Sequence, residues 1–147
     1  MNSQPRALKG SGATGWDFLN KSKIQMSNQI QNPKEKKYDL IERTSKFGED
    51  IIRVTQQLPN NPINNPLISQ LVRSSTSIGA NYMEADCAES KKDFKHKIGI
   101  CKKESKETTH WLRMIAAGNP KFRDICRKYW KEAHEFVLIF SSILNKK

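Results

Sequence analysis

Apolar and small residues in the middle of the chain recur at alternating spacings of four and three. Two such stripes follow each other between residues 67 and 115, on either side of a short polar joint at Glu89 and Ser90. The stripe residues are Leu71, Ser75, Ile78, Tyr82 and Ala85, followed by Phe94, Ile98, Cys101, Ser105, Thr108, Leu112 and Ile115. Side chains three and four apart are neighbours on a helix surface, so each stripe predicts one amphipathic helix. The two helices together predict an antiparallel hairpin.

The same spacing predicts one helix before this hairpin and one after it. The earlier stripe is formed by Leu40, Thr44, Phe47, Ile51, Val54 and Leu58, and the later one by Phe122, Cys126, Tyr129, Ala133, Phe136, Phe140 and Ile143. We therefore expect helices over about 38–58, 66–88, 91–117 and 120–145. No strand pattern occurs in the sequence. Four long helices with short connections indicate an all-α fold, an up-and-down antiparallel four-helix bundle.

Polar residues and prolines near the predicted helix ends support these boundaries. Ser90 followed by Asp93 resembles a capping box, in which a hydroxyl accepts from the first free amides of the helix. Asn-Pro occurs at 65–66 and at 119–120, where the asparagine suits the N-cap and the proline suits the first turn. Gly118 is expected to cap the C-terminus of the third helix.

Residues 1–37 lack the helical spacing and are predicted to form a flexible basic N-terminal tail, with the bundle at residues 38–147. Seven basic residues stand against two acidic ones in this segment, a net charge of +5. The few large side chains stand together at Trp16, Phe18 and Leu19. That is too little apolar surface to offset the entropy lost on ordering.

The charge of the remaining chain is distributed unevenly. The whole sequence has 26 Lys and Arg against 15 Asp and Glu, a net charge of +11. Residues 38–88 contain four basic and six acidic residues, net −2, whereas residues 89–147 contain fifteen and seven, net +8. Such asymmetry predicts an oriented basic surface, suited to nucleic acid, an anionic membrane surface or an acidic protein.

The cysteines and the hydropathy of the chain favour a soluble cytoplasmic protein. Two of the three cysteines, Cys101 and Cys126, lie on apolar stripes, where a reduced thiol acts as a small hydrophobic group. No run approaches the length needed to cross a bilayer, and the N-terminus has no apolar core of the signal-peptide kind. No CxxC or HxxxH spacing predicts a metal site, and no cofactor is expected.

The outward face of the third predicted helix carries the main candidates for binding. Basic residues repeat there at spacings of three, four and seven, opposite the apolar stripe, and more follow at the start of the fourth helix. The candidate phosphate contacts are Lys92, His96, Lys103, Lys106, His110 and Arg113, with Arg123, Arg127, Lys128 and Lys131. A line of this kind could follow a phosphate backbone. The alternative is a solvated helix face, supported by a Lys103–Glu107 pair at i, i+4.

Two aromatic residues lie among the bases of the fourth helix. Tyr129 and Trp130 could stack on bases of single-stranded RNA or DNA. Tyr129 belongs to the core stripe, so packing is the stronger interpretation for it. Trp130 lies beside the stripe, and its role stays open.

The end of the fourth helix is apolar on nearly all sides. This run comprises Phe136, Val137, Leu138, Ile139 and Phe140, and Leu138 falls opposite the two phenylalanines. One bundle buries one stripe of each helix, so we expect these five residues to form an interface between subunits. The alternative is a deeply buried helix end covered by the tail or a loop.

The second helix carries the polar residues that a catalytic hypothesis would have to use. Arg73, Ser74, Ser77, Asn81 and Glu84 are explained by hydrogen bonds between helices or subunits, with partners expected at Glu104 or Glu107. No Gly-rich phosphate loop and no Ser-His-Asp arrangement occurs, and His96 and His110 are predicted to point outward. We expect no enzymatic activity.

The central stretch also resembles a known family. The distinctive segments are Ser77-Ile78-Gly79-Ala80-Asn81, Glu84-Ala85, Asp93-Phe94, Lys103-Glu104, Glu107-Thr108 and Trp111-Leu112. They are similar to a bacterial four-helix-bundle family encoded in intervening sequences of large-subunit rRNA genes. The resemblance covers residues 38–145 and includes many polar positions that a bundle alone does not demand.

This resemblance implies a bundle that assembles into a ring-shaped homo-oligomer, a pentamer. It also implies a relationship to the accessory variability determinant of diversity-generating retroelements, a basic pentamer that binds nucleic acid and a reverse transcriptase. The expected function is a non-catalytic scaffold that binds nucleic acid, RNA in particular. The alternative is a protein–protein adaptor whose basic face meets an acidic partner such as a reverse transcriptase.

Overall fold

The computed structural model describes residues 33–147, with side chains from residue 40 onward. Four helices follow one another: α1 Pro33–Gln56, α2 Asn64–Asp86, α3 Lys91–Gly118 and α4 Arg123–Asn145, with a 3-10 turn at Pro120–Phe122 before α4. No strand occurs in this part of the chain. The all-α prediction and the order of the helices are confirmed. The tail was predicted at residues 1–37, and its residues 1–32 lie outside the described residues.

Helix α1 begins earlier than the apolar stripe predicted, at Pro33 rather than at residue 38. Proline suits the first turn of a helix because its missing amide would have no partner there. The Lys and Glu residues that follow are good helix formers, so the first turns form without an apolar stripe of their own. Residues 33–37, which the sequence assigned to the tail, therefore belong to α1.

Contacts between α2 and α3 show that the two helices run in opposite directions. As residue numbers rise along α2, the numbers of the contacting residues fall along α3. Thr108 Oγ1 donates to Ser74 Oγ at 3.0 Å, Cys101 Sγ lies 3.6 Å from the Ile78 carbonyl oxygen, and Lys97 Nζ lies 2.6 Å from Glu84 Oε2. The predicted antiparallel hairpin is therefore confirmed.

Two glycines allow α1 to approach α2 closely. A Cβ on Gly79 would lie 3.3 Å from Thr44 Oγ1 and 3.5 Å from the Thr44 backbone, and one on Gly48 would lie 3.6 Å from Thr76 Cα. Larger side chains would push the two backbones apart. On its other side α1 reaches α4 through Phe47, whose ring meets the Phe136 ring edge-on at 5.4 Å.

The core is built from the four predicted stripes. Its buried members include Phe47, Ile51, Leu71, Ile78, Ile98, Leu112, Ile115, Ala133, Phe136 and Phe140, together with Cys101 and Cys126. Phe94, Phe122, Tyr129 and Ile143 are only partly buried and pack against this cluster. No helix among residues 33–147 is both long enough and apolar enough to span a membrane.

The helix ends agree with the sequence at one position and differ at three. Ser90 Oγ accepts from the Asp93 amide at 3.0 Å, which confirms the predicted N-cap of α3. Asn65 does not cap α2, because the helix already begins at Asn64 and Asn61 Oδ1 accepts from the Asn64 amide at 2.7 Å. Gly118 is the last residue of α3 and has no positive φ, so it is not a left-handed cap.

Asn119 does not cap the following turn either, because its side chain forms a buried pair with Asn64. Asn64 Nδ2 donates to Asn119 Oδ1 at 2.9 Å, and Asn119 Nδ2 donates to Asn64 Oδ1 at 2.8 Å. Each amide also donates to a carbonyl oxygen, Asn64 to that of Pro59 and Asn119 to that of Ile115, both at 2.9 Å. This pair joins the α1–α2 connection to the end of α3.

The three thiols differ enough in environment to predict their reactivity. Cys87 is exposed, whereas Cys101 and Cys126 are buried. Burial raises the pKa of Cys101 to about 12 and that of Cys126 to about 11. We expect Cys87 to react with a thiol reagent in mildly alkaline buffer, and the other two to react at least about a hundredfold more slowly.

Counting modified thiols by mass spectrometry checks this expectation, since one adduct should form in the native protein and three after denaturation. Three adducts forming at one rate in the native protein would contradict the buried positions of Cys101 and Cys126.

Candidate functional site

The outward face of α3 holds six basic side chains that lie in solvent. Lys92, His96, Lys103, Lys106, His110 and Arg113 are all exposed. From the first to the last of them the helix rises about 32 Å, at 1.5 Å per residue. The predicted cationic line is therefore present and accessible along most of α3; this face is called the α3 basic face below.

Two of the three acidic residues of α3, Glu104 and Glu107, pair with Arg73 of α2 and not with the basic residues of this face. Arg73 Nη1 lies 3.2 Å from Glu104 Oε2, and Arg73 Nη2 donates to Glu107. These contacts, the hydrogen bond to Glu107 first, hold the pKa of Arg73 above its ordinary value. The expected partners of Arg73 are thus confirmed.

The six basic residues of the α3 basic face are left without acidic partners. Among the described side chains, none of the six forms an ion pair with a carboxylate. The Lys103–Glu107 pair that supported the solvated-face alternative is absent, since Glu107 pairs with Arg73. Among residues 40–147, the positive charge of this face is therefore not cancelled by ion pairs.

A shallow concavity of about 490 Å³ lies on the α3 basic face, open to solvent. It is lined by Gly99, Lys102, Lys103, Lys106, Glu107 and His110. Nothing lies within 4 Å of the point where a Cβ of Gly99 would be, so the floor of the depression is bare. Three lysines line this depression, so it lies in a positively charged part of the helix surface.

The basic residues at the start of α4 are also at the surface. Arg123, Arg127 and Lys128 are exposed and Lys131 is partly exposed, with Asp124 exposed among them. Lys128 Nζ lies 5.3 Å from the centre of the Tyr129 ring, a cation–π contact within its own helix. All ten predicted phosphate contacts therefore have some access to solvent.

The two aromatic residues among these bases differ sharply. Tyr129 is half-buried and its ring meets the Phe47 ring edge-on at 6.0 Å. Burial raises the pKa of Tyr129 to about 12. Trp130 is 38% exposed, and its indole stacks on His134, with ring centroids 5.1 Å apart and planes at 14°. The packing interpretation of Tyr129 is confirmed, and Trp130 is the accessible ring.

The run at residues 136–140 divides between core and surface. Phe136 and Phe140 are completely buried within the bundle, so they are not available for contact with another copy of the chain, and that part of the predicted interface is corrected. Their rings pack on Phe47 and Tyr82, at centroid distances of 5.4 and 5.9 Å. Leu138 is 53% exposed, and Val137 and Ile139 are partly exposed, so these three remain accessible.

A partly buried ion-pair network between α1 and α4 was not predicted. Arg43 donates to Glu132 Oε1 at 2.7 Å and Oε2 at 2.9 Å, and also to Glu135. Its guanidinium lies 5.1 Å from the centre of the Phe136 ring. The only sequence signal is the i, i+3 spacing of the two glutamates, which does not point to a partner 89 residues away.

The described side chains show no arrangement that supports catalysis or metal binding. Glu84 pairs with Lys97, and His96 and His110 are exposed as predicted. Within the part of the chain that the structure describes, no three His, Cys, Asp or Glu residues are grouped closely enough to hold a metal ion. Trp111 Nε1 is buried without a hydrogen-bond partner, and nothing in the structure shows a role for it.

Comparisons with known proteins give a consistent result. Residues 36–119 match the family described as 23S rRNA-intervening sequence protein. The chain is also similar to a crystal structure at 1.70 Å resolution of a protein of unknown function from the S23 ribosomal protein family of Bacteroides thetaiotaomicron, with a TM-score of 0.64 and 28% identity. The alignment covers 73% of this chain and 99% of that one. No curated protein matches significantly.

Proposed function

Because the chain belongs to the 23S rRNA-intervening sequence protein family, we propose that it is a non-catalytic scaffold that binds RNA through the α3 basic face. The names of the family and of the structural relative both refer to ribosomal RNA or the ribosome, which favours RNA over DNA. Phosphate contacts supply most of the affinity in such binding, and they need accessible cations rather than a built pocket.

One observation carries this proposal. The acidic residues nearest to Lys103 and Lys106, which are Glu104 and Glu107, are held by Arg73, so these two lysines keep their charge for a ligand. A face that served solubility alone would gain from local i, i+4 pairs, and Lys103 and Glu107 have the spacing but do not use it. The basic residues at the start of α4 would extend the same contact surface.

Assembly into a ring-shaped homo-oligomer, a pentamer by resemblance, is part of the proposal. Leu138 supports it, because a leucine more than half exposed beside the partly exposed Val137 and Ile139 forms an apolar patch on α4. A ring would repeat the α3 basic face around an axis and multiply weak phosphate contacts. Light scattering at micromolar concentration tests this part, and a monomer would contradict it.

The alternative function is a protein–protein adaptor in the cytoplasm. The same uncompensated charge would attract an acidic protein surface, such as one on a reverse transcriptase. Nucleic-acid binding separates the two functions, since an adaptor need not bind RNA at all.

We expect replacement of Lys103 and Lys106 by glutamine to weaken RNA binding by roughly ten- to a hundredfold at low salt. The two side chains are exposed and unpaired, so the helix itself should be unaffected. The slope of log affinity against log salt concentration should flatten by about one for each lost phosphate contact. Fluorescence anisotropy with a labelled RNA over a salt series measures both quantities.

A matched control is available on α1. Lys46→Gln with Arg53→Gln removes the same charge from exposed residues outside the α3 basic face, so this pair should bind RNA nearly as well as the unchanged protein. Equal losses of RNA affinity in the two double variants would mean that binding depends on the net charge of the protein and not on the α3 basic face. Absence of any RNA binding by the unchanged protein at low salt would reject the scaffold and favour the adaptor.

A further inference from the structure

The stacked rings of Trp130 and His134 form an exposed aromatic surface that phosphate binding does not use. Tryptophan is one of the largest apolar side chains, and it is usually highly buried. Here more than a third of it lies in solvent, and its plane is nearly parallel to that of the exposed His134 ring. The imidazole fixes the indole in one orientation, so little side-chain entropy remains to be lost when another flat ring stacks on it.

The surroundings of this ring pair are cationic. Arg127 and Arg123 precede Trp130 by three and seven residues, which places them on the same side of α4, and both are exposed. The nearby acids Glu132 and Glu135 are turned to the opposite flank, where Arg43 holds them. A ligand that brings a flat ring to Trp130 would therefore meet positive charge beside it.

The ring pair also lies at the level of the α3 basic face. Helices α3 and α4 are joined by the short segment between Gly118 and Arg123, so residues at similar distances from this joint lie at similar heights. Trp130 is then nearly level with His110, and Arg127 with Arg113. A strand that follows the α3 basic face would pass at the height of the aromatic surface.

From this arrangement we propose that Trp130, supported by His134, stacks an unpaired nucleobase, so that the protein prefers single-stranded nucleic acid to a duplex. The inference rests on the proposed function and specifies the form of its ligand. In a duplex every internal base is already stacked on both faces, so along its length mainly phosphates remain for the protein. In a single strand a base can turn onto an aromatic side chain, and such stacking tolerates any sequence.

Binding of the full chain to three probes tests the proposal: an oligouridine RNA, the corresponding single-stranded DNA and a blunt RNA duplex. Trp130→Leu should weaken binding of the single-stranded probe by about tenfold, as expected for loss of one stacked base, and leave duplex binding unchanged. Weaker binding of both the RNA and the DNA single strand supports a contact with the base and not with the sugar. Loss confined to RNA supports the stack and identifies RNA as the ligand.

Trp130→Phe is the matched variant, since it keeps a flat ring and should retain single-strand affinity within about threefold. Indole fluorescence adds a second readout. The unchanged protein should be quenched by oligouridine, whereas the Phe variant should bind it without that quenching. Met83→Ala, which removes an exposed apolar side chain from α2, should leave affinity and quenching unchanged.

Some results would overturn the proposal. Trp130→Leu could lower the affinity for single strands and for the duplex equally, or it could lower neither affinity. In both cases base stacking on Trp130 is rejected, while phosphate binding by the α3 basic face still stands. If Trp130→Leu changes the size of the assembly and not the preference for single strands, the ring belongs to a subunit contact. If the unchanged protein binds none of the probes, both the stack and the proposed function fail.

Discussion

Replacement of Arg43 by alanine is expected to lower the free energy of unfolding by about 3 kcal/mol. Arg43 is the cation shared by Glu132 and Glu135, and the side chains of the three residues are only 17%, 20% and 9% exposed. Without the guanidinium, two carboxylates would stand side by side in a poorly hydrated part of the α1–α4 interface and would lose the cation that they share. We use the lower end of the range for buried pairs because solvent still reaches part of the network.

Chemical denaturation followed by circular dichroism, at one fixed protein concentration, measures this effect. Fixed concentration matters because any self-association would add to the apparent stability. Adding Glu132→Gln and Glu135→Gln to the Arg43 variant should recover about 1 kcal/mol, since neutral amides are less costly to leave in this part of the interface.

Arg53→Ala is the matched control for this experiment. Arg53 also contacts two carboxylates, those of Glu49 and Asp50, but its side chain is 63% exposed. Exposed pairs contribute little, so the loss should stay below about 1 kcal/mol. Similar losses at Arg43 and Arg53 would show that the Arg43 network is not buried in solution.

The second large effect is expected at Phe136. Phe136→Ala should lower the free energy of unfolding by about 4 kcal/mol, because it empties a completely buried site in the core. The ring contacts Phe47 edge-on, stacks near Phe140 at 6.2 Å and lies beneath the Arg43 guanidinium. The lost volume lies among three rigid partners, so the cavity cannot easily close.

Leu138→Ala supplies the comparison on the same helix. Within one subunit this exposed side chain packs little, and we expect a loss below about 0.5 kcal/mol. If Leu138 contributes to a subunit contact, its substitution should instead lower the stability of the assembly, measured as a smaller mass by light scattering. A large loss of helix content at low concentration from Leu138→Ala, with none from Phe136→Ala, would contradict the assignment of Phe136 to the core and of Leu138 to the surface.

The contrast between these two residues shows how far periodicity predicts this fold. A stripe of apolar residues at Leu71, Ile78, Ile98 and Leu112 determines one buried direction per helix, and the structure buries all four residues. Spacing placed Phe136 and Phe140 on the core stripe, but because every direction at residues 136–140 is apolar, it could not say whether the two rings also took part in an interface. The answer came from the neighbouring helix, whose Phe47 packs on Phe136.

Polar contacts were predictable only where both partners lay in the predicted hairpin. Arg73 was expected to meet Glu104 or Glu107 because an antiparallel turn near Ser90 brings them together. Arg43 and Glu132 belong to the first and last helices, and their contact depends on how α1 packs against α4 in the complete bundle. The α3 basic face was visible in the sequence, but the pairing of both Glu104 and Glu107 with the one Arg73, which leaves that face without ion pairs among residues 40–147, was not.

The reciprocal amide pair of Asn64 and Asn119 has a consequence for the choice between alternative packings. Apolar stripes with a heptad-like repeat tolerate a slide of one helix by one turn, about 5.4 Å, with nearly equal burial. The two amides, by contrast, meet at one axial position only. After a slide each would remain buried without its partner, at a cost of about 1–3 kcal/mol apiece. The pair thus selects the native helix register over shifted registers of nearly equal apolar burial, even where its net contribution to stability is small.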